Sequence, residues 1–180
     1  GNGTTPPLWR DEPLYANYTT YLPEQVNGAV QAALRSMEPA SMGSTGILLP
    51  EVSTFIDGPG LPGNPALFVV AINRADGTGI ARLMNFACPA TITGPSTMWT
   101  ADYPGYACWA LEQNGGGLSL FSQAPSHDIR PFDWWIQNTD PTHPARNPKD
   151  VHAFGLLLAT QADNAAAETV QRRNVEIAIR

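Results

Sequence analysis

YACWALEQNGGGLSLFSQ, residues Tyr106–Gln123, is the stretch on which the fold turns. Two apolar runs, Tyr106–Gln113 and Gly117–Gln123, flank Asn114-Gly115-Gly116. Glycine and asparagine tolerate the positive φ that tight turns require, so the stretch reads as a β-hairpin. A second hairpin signal lies upstream, where Ala66–Asn73 and Gly79–Phe86 flank RADGT. Val151–Thr160 (VHAFGLLLAT) is a near-continuous apolar run of strand length. Asn174–Arg180 alternates, with Val175, Ile177 and Ile179 on one face. Ile47–Ile56 (interrupted at Pro50), Thr91–Thr93 with Thr97–Thr100, and Ile129–Gln137 add further strand segments. Pro131 makes the last an edge or a bulge. No alternation of strand, helix and parallel strand is evident. The expectation is a mainly β chain: an antiparallel β-sandwich or jelly roll of about eight or nine strands.

One helix precedes these strands. In residues 23–38, PEQVNGAVQAALRSME, the residues Val26, Ala29, Val30, Ala33, Leu34 and Met37 recur at helical spacing. Pro23 suits a first helical position and Pro39 stops the run. Residues 1–22 contain three prolines, Trp9, Tyr15, Tyr18 and Tyr21, and read as an extended arm laid on a surface. The organisation expected is therefore an arm over 1–22 and a single sandwich domain over 23–180 that includes the helix. The Gly1 start, without Met, is expected of a processed chain.

Composition narrows the function. Of 180 residues, 43% are apolar, enough for a folded core. Only 14% are charged, against about 25% in ordinary soluble domains. A surface so poor in charge suits either a chain covered by neighbours or a small secreted protein rich in Ser, Thr, Asn and Gly. The net charge of −6, with a single lysine, argues against nucleic-acid binding. No apolar run is long enough for a transmembrane helix. Cys88 and Cys108 each border an apolar run and can be read as a disulfide across neighbouring strands or as two buried thiols.

The chemically rich stretch is SQAPSHDIRPFDWWIQNTDPTHPARNPKDVH, residues 122–152. It holds all three histidines, His127, His143 and His152. Ser126-His127-Asp128 cannot act as a contiguous triad, because neighbouring residues on a strand point to opposite faces. The histidines are 16 and 9 residues apart, without the short-spaced pair that anchors a zinc site. Asp128, Asp133 and Asp140 are candidates for a glycosidase carboxylate pair, but spacing alone does not bring them together. Trp99, Trp109, Trp134 and Trp135 offer aromatic faces for a sugar ring, and on a strand the rings of Trp134 and Trp135 face opposite ways. No glycine-rich phosphate loop is present. No catalytic residue, metal or cofactor is expected.

The proline-rich aromatic arm, the single helix, the uncharged surface and the terminal pair VHAFGLLLAT and NVEIAIR together resemble the jelly-roll coat or projection domains of small icosahedral viruses. The resemblance implies a non-enzymatic subunit on a virion, or otherwise outside the cell, that self-associates or meets related coat subunits. Trp9 and Tyr15 would then lie at an interface. A secreted carbohydrate-binding module or adhesin using Trp134 and Trp135, with a host glycan or receptor as partner, is the alternative. A hydrolase or metalloenzyme built on His127, His143 and His152 is the third.

Overall fold

The computed structural model describes residues 13–50, 52–55, 66–93, 99–131 and 148–175. They form a mixed α/β structure, not a β-sandwich or jelly roll. The elements, in order, are α1 (Pro13–Arg35), β1 (Ala40–Leu48), β2 (Ser53–Phe55), β3 (Ala66–Arg74), β4 (Gly79–Phe86), α2 (Asp102–Gln113), β5 (Leu118–Gln123), β6 (Ile129–Pro131) and α3 (Pro148–Ala167). The chain divides at Pro39/Ala40 into two compact units. The helix thus belongs to the first unit, not to the sheet-bearing one.

In the first unit, α1 begins ten residues before the expected Pro23. Residues 13–22 are helical where an extended arm was expected. Pro13 takes the first position, where a missing N–H costs nothing, and Pro23 sits inside the helix. The stripe of Val26, Val30 and Leu34 is exposed.

The second unit is built on a four-stranded sheet of order β1-β3-β4-β5. β3 and β4 form the hairpin that the RADGT turn specifies, with Val69 opposite Met84 and Val70 opposite Leu83. The turn is held by Asp76, whose carboxylate accepts bonds from the Thr78 N–H (2.9 Å) and hydroxyl (2.7 Å), while Gly77 takes φ 89°. β1 lies antiparallel to β3 on one edge. β5 lies parallel to β4 on the other. β2 and β6 form a separate two-stranded sheet.

The parallel pair overturns the second hairpin. Parallel neighbours need a crossover, and α2 supplies it: Tyr106–Gln113 is helix, not strand. Tyr103, Ala107, Ala110 and Leu111 fall at i, i+4, i+7 and i+8 and all are buried. Asn114 and Gly115 then end a helix, with Gly115 and Gly117 at φ 82° and 79°. Val151–Thr160 is likewise inside α3. Its buried residues Val151, Leu158, Ala159 and Ala162 follow a helical stripe.

Both helices cover the same sheet face. Leu67, Val69 and Ala71 of β3, with Met84 and Phe86 of β4, pack beneath Leu111 of α2 and Leu158 of α3. The opposite face, with Phe68, Leu83 and Leu120, is exposed. No helix among the described residues is long and apolar enough to cross a membrane.

Candidate functional site

The cleft of most chemical interest opens where α2 begins and crosses α3. It encloses about 360 Å³ and is lined by Thr100, Ala101, Asp102, Gly105, Tyr106, Trp109 and His152. Tyr106 and Trp109 sit three apart on α2, so one helical face presents both rings. His152 projects from α3 against them, at 5.0 Å from the Tyr106 ring and 80° to its plane, and at 6.4 Å and 45° from Trp109. Trp109 keeps 51% of its surface open to solvent and Tyr106 39%. Trp99, next to Thr100 in the chain, is fully exposed.

The two helices reach this position through Gly155. A Cβ there would lie 2.5 Å from Tyr106 Cβ and 2.9 Å from the Tyr103 carbonyl oxygen. Only glycine lets α3 approach α2 so closely, and this sets His152, nearly one turn earlier, over the α2 aromatics.

Asp102 fixes the mouth of the cleft. Among the described residues it is the non-glycine residue with positive φ, at 51°. Its side chain is buried and fully engaged. Oδ2 accepts from the Thr93 N–H (2.8 Å) and hydroxyl (2.6 Å), and Oδ1 accepts from the Tyr103 N–H (2.8 Å). The Asp102 N–H in turn donates to Thr100 Oγ1 (2.9 Å). One carboxylate thus ties Thr93 to the start of α2, and three charge-assisted bonds offset its burial. Strain of this kind concentrates at functional sites because the surroundings over-determine it.

Beneath the cleft, Tyr103 anchors the core. Its hydroxyl donates to the Cys88 carbonyl. Its ring meets Phe121 (5.6 Å) and Phe154 (4.8 Å) edge to face. Burial pushes the Tyr103 phenol well above its usual range. Cys88 and Cys108 are free thiols, not joined by the disulfide that was one of the two readings of the pair. Cys88 is sealed under the sheet, and burial pushes its thiol up to about 12. Cys108 lies half-buried on α2, raised first by burial and then by the Glu112 carboxylate. Cys88 lies two residues beyond the end of β4 and Cys108 on a helix, not on the neighbouring strands that the disulfide presumed.

Of the other sequence candidates, Trp9, Trp134, Trp135 and His143 lie outside the described residues, as does the side chain of Tyr15. His127 is exposed in the turn before β6, where its carbonyl accepts a bond from Arg130 Nη1 (3.3 Å). Ser126 is held instead by Gln123, whose amide donates to its hydroxyl at 2.8 Å. Among the described residues, no three His, Cys, Asp or Glu side chains gather as a metal site. Of the two histidines among the described residues, His152 joins the cleft and His127 does not. Trp99 and Trp109 stand out in the sequence as available aromatics, whereas Thr100, Asp102 and Tyr106 do not. The one signal was the i, i+3 spacing of Tyr106 and Trp109, hidden by the strand assignment.

A larger groove of about 510 Å³ runs along β1 between Met42–Thr45 and Glu168–Val175. Met42 and Arg172 exchange backbone bonds of 2.9 Å across it. It borders Val175, where the described residues end, and has no aromatic ring in its lining.

The fold resembles part of two larger solved structures. It is similar to neutral ceramidase from Pseudomonas aeruginosa, with a TM-score of 0.63 at 18% identity over 77% of this chain and 24% of that one. A structure described as ceramidase complexed with C2 matches alike, with a TM-score of 0.62 at 19% identity and the same coverage. This chain therefore spans about a quarter of the length of those it resembles. No protein-family model and no curated protein matches it. At such identities the likeness is one of fold, and it does not make this chain an enzyme.

Proposed function

We propose that this chain is a non-enzymatic binding module whose α2–α3 cleft takes a neutral sugar ring. The observation that carries this reading is the exposed Tyr106–Trp109 pair set against His152. A pyranose has an apolar face that stacks on an aromatic ring and a rim of hydroxyls that needs donors and acceptors. Trp109 and Tyr106 offer the first, and Thr100 and His152 the second. Among the described residues no lysine or arginine lines the cleft, which disfavours a phosphate or carboxylate ligand. The Asp102 carboxylate already accepts three bonds, which disfavours a cation. The volume lies at the small end of the roughly 300–1,000 Å³ typical of small-ligand sites.

The carbohydrate-binding reading thus moves from Trp134 and Trp135 to Trp109. The coat-subunit reading, which drew on the low charge and the aromatic arm as well as on a jelly roll, loses the jelly roll, because the fold is α/β. A glycan array, followed by titration monitored through tryptophan fluorescence, tests the proposal. Neutral glycans are expected to bind, and Trp109→Ala to weaken them about tenfold or more while the fold persists, a loss of at least ~1.4 kcal/mol. Binding to no glycan, or binding indifferent to Trp109→Ala, would sink it.

A further inference from the structure

Among the described residues, nothing covers the side chain of Trp99, which is fully exposed. A single exposed apolar residue needs no explanation. This one stands next to Thr100, which lines the α2–α3 cleft. The chain is fixed at that point. The Thr100 hydroxyl accepts the Asp102 N–H at 2.9 Å, and the Asp102 carboxylate holds Thr93 and the Tyr103 N–H. Consecutive Cα atoms are about 3.8 Å apart, so Trp99 starts from the rim of the cleft. The cleft itself is long. Trp109 lies seven residues after Asp102 on α2, about 10 Å along the helix axis, whereas Thr100 and Ala101 precede the helix. That span exceeds one pyranose ring.

We infer that the cleft takes an oligosaccharide of at least two rings, and that Trp99 is the stacking platform for the ring at the Thr100 end. This rests on the sugar-binding reading of the cleft and specifies the length of its ligand. The surroundings of Trp99 favour a sugar over a membrane surface. Tryptophans that anchor in a bilayer interface are accompanied by apolar and basic residues. The neighbours here in sequence, Ser96, Thr97 and Met98 before it and Thr100, Ala101 and Asp102 after it, include no basic residue and one large apolar one. A sugar needs a ring face with hydroxyl-bonding groups beside it, and Thr100 supplies such a group. Once the first ring is seated on Trp109, the second meets Trp99 as an intramolecular event, which raises affinity steeply. The fixed backbone beside Trp99 keeps the ordering cost low.

Calorimetric titration of the full chain with cello-, malto- and chito-oligosaccharides of one to six rings tests the inference. In the series that binds, affinity is expected to rise about tenfold or more between one ring and three. Trp99→Ala should abolish that rise while leaving the affinity for a single ring and the thermal midpoint unchanged. Trp99→Phe, which keeps an aromatic face, should restore part of it. Affinity that is independent of length, or a rise that survives Trp99→Ala, overturns the inference, and Trp109-dependent binding of a single ring would then leave the sugar reading standing. Binding in none of the series removes both. A blue shift of tryptophan emission on phosphatidylcholine vesicles, lost in Trp99→Ala and accompanied by no dependence on glycan length, would assign Trp99 to a membrane surface and also overturns it.

Discussion

Asp102 holds a backbone conformation that L-residues avoid, and its three hydrogen bonds are what hold it there. Removing them with Asp102→Ala leaves buried N–H donors unpaired and keeps the unfavourable φ. A loss of about 3 kcal/mol is expected from urea unfolding. Asp102→Gly loses the same bonds but adopts φ 51° freely, so it should be less destabilised than Ala, by about 1 kcal/mol. If glycine is the worse of the two, strain at this position is not part of the account.

Cys88 gives a residue-scale prediction in pH. Its folded thiol titrates at about 12, against 9.0 for the ordinary group. Above pH 9 the unfolded chain loses this proton while the folded chain keeps it. The buried thiol's contribution is intact below that point and is lost as pH rises towards 12, at up to about 1.4 kcal/mol per pH unit. Tyr103, raised by the same burial, adds to the loss from its ordinary value of 10.0 upward. Stability should therefore fall above pH 9, and Cys88→Ala should flatten the first part of that fall. A thiol reagent at neutral pH should modify Cys108 well before Cys88, with Cys88 reacting only on unfolding.

At the scale of elements, the crossing of α2 and α3 depends on Gly155. Alanine forms helix better than glycine by about 1 kcal/mol, so Gly155→Ala should stabilise α3 in isolation. Within the fold the added methyl meets Tyr106 Cβ and the Tyr103 carbonyl at under 3.0 Å. Backbone at that distance cannot move cheaply, and a net loss of about 1–3 kcal/mol is expected. The separation should also show as weaker glycan binding, because His152 moves away from Trp109. An unchanged thermal midpoint would mean that the helices accommodate the methyl without parting.

The elements also divide by how far the sequence discloses them. The β3–β4 hairpin is legible because Asp76, Gly77 and Thr78 specify the turn by themselves, whatever packs on the strands. The body of α1 is legible from its stripe. Its first ten residues are hidden by Pro23, which reads as a start and is an interior residue. In α2, the Tyr, Cys and Trp residues and the trailing glycines imitate a strand and its turn. The helical spacing of Tyr103, Ala107, Ala110 and Leu111 becomes visible only once their burial is known.

At the scale of the whole molecule, the chain divides into two compact units, and the hydrophobic core of the second is assembled, among the described residues, from residues between Leu67 and Ala166. A chain starting at Ala40 should therefore unfold as one cooperative transition, with a midpoint within a few degrees of the full-length protein in calorimetry. A collapse of cooperativity on that truncation would show that α1 contributes to the core's stability.

The sequence by itself determined the low charge, the β3–β4 hairpin, the existence of the first helix and the supply of exposed aromatics. Each of these depends on composition or on contacts a few residues apart. Only the tertiary structure decided that Tyr106–Gln113 and Val151–Thr160 are helices. A short apolar run satisfies either a buried strand or a buried helix. The choice falls to helix here because β5 pairs parallel to β4 and needs a crossover, and because the sheet has an apolar face for both runs to cover. The cleft follows from that choice, since Trp109 and His152, 43 residues apart in the chain, meet only where α2 and α3 cross.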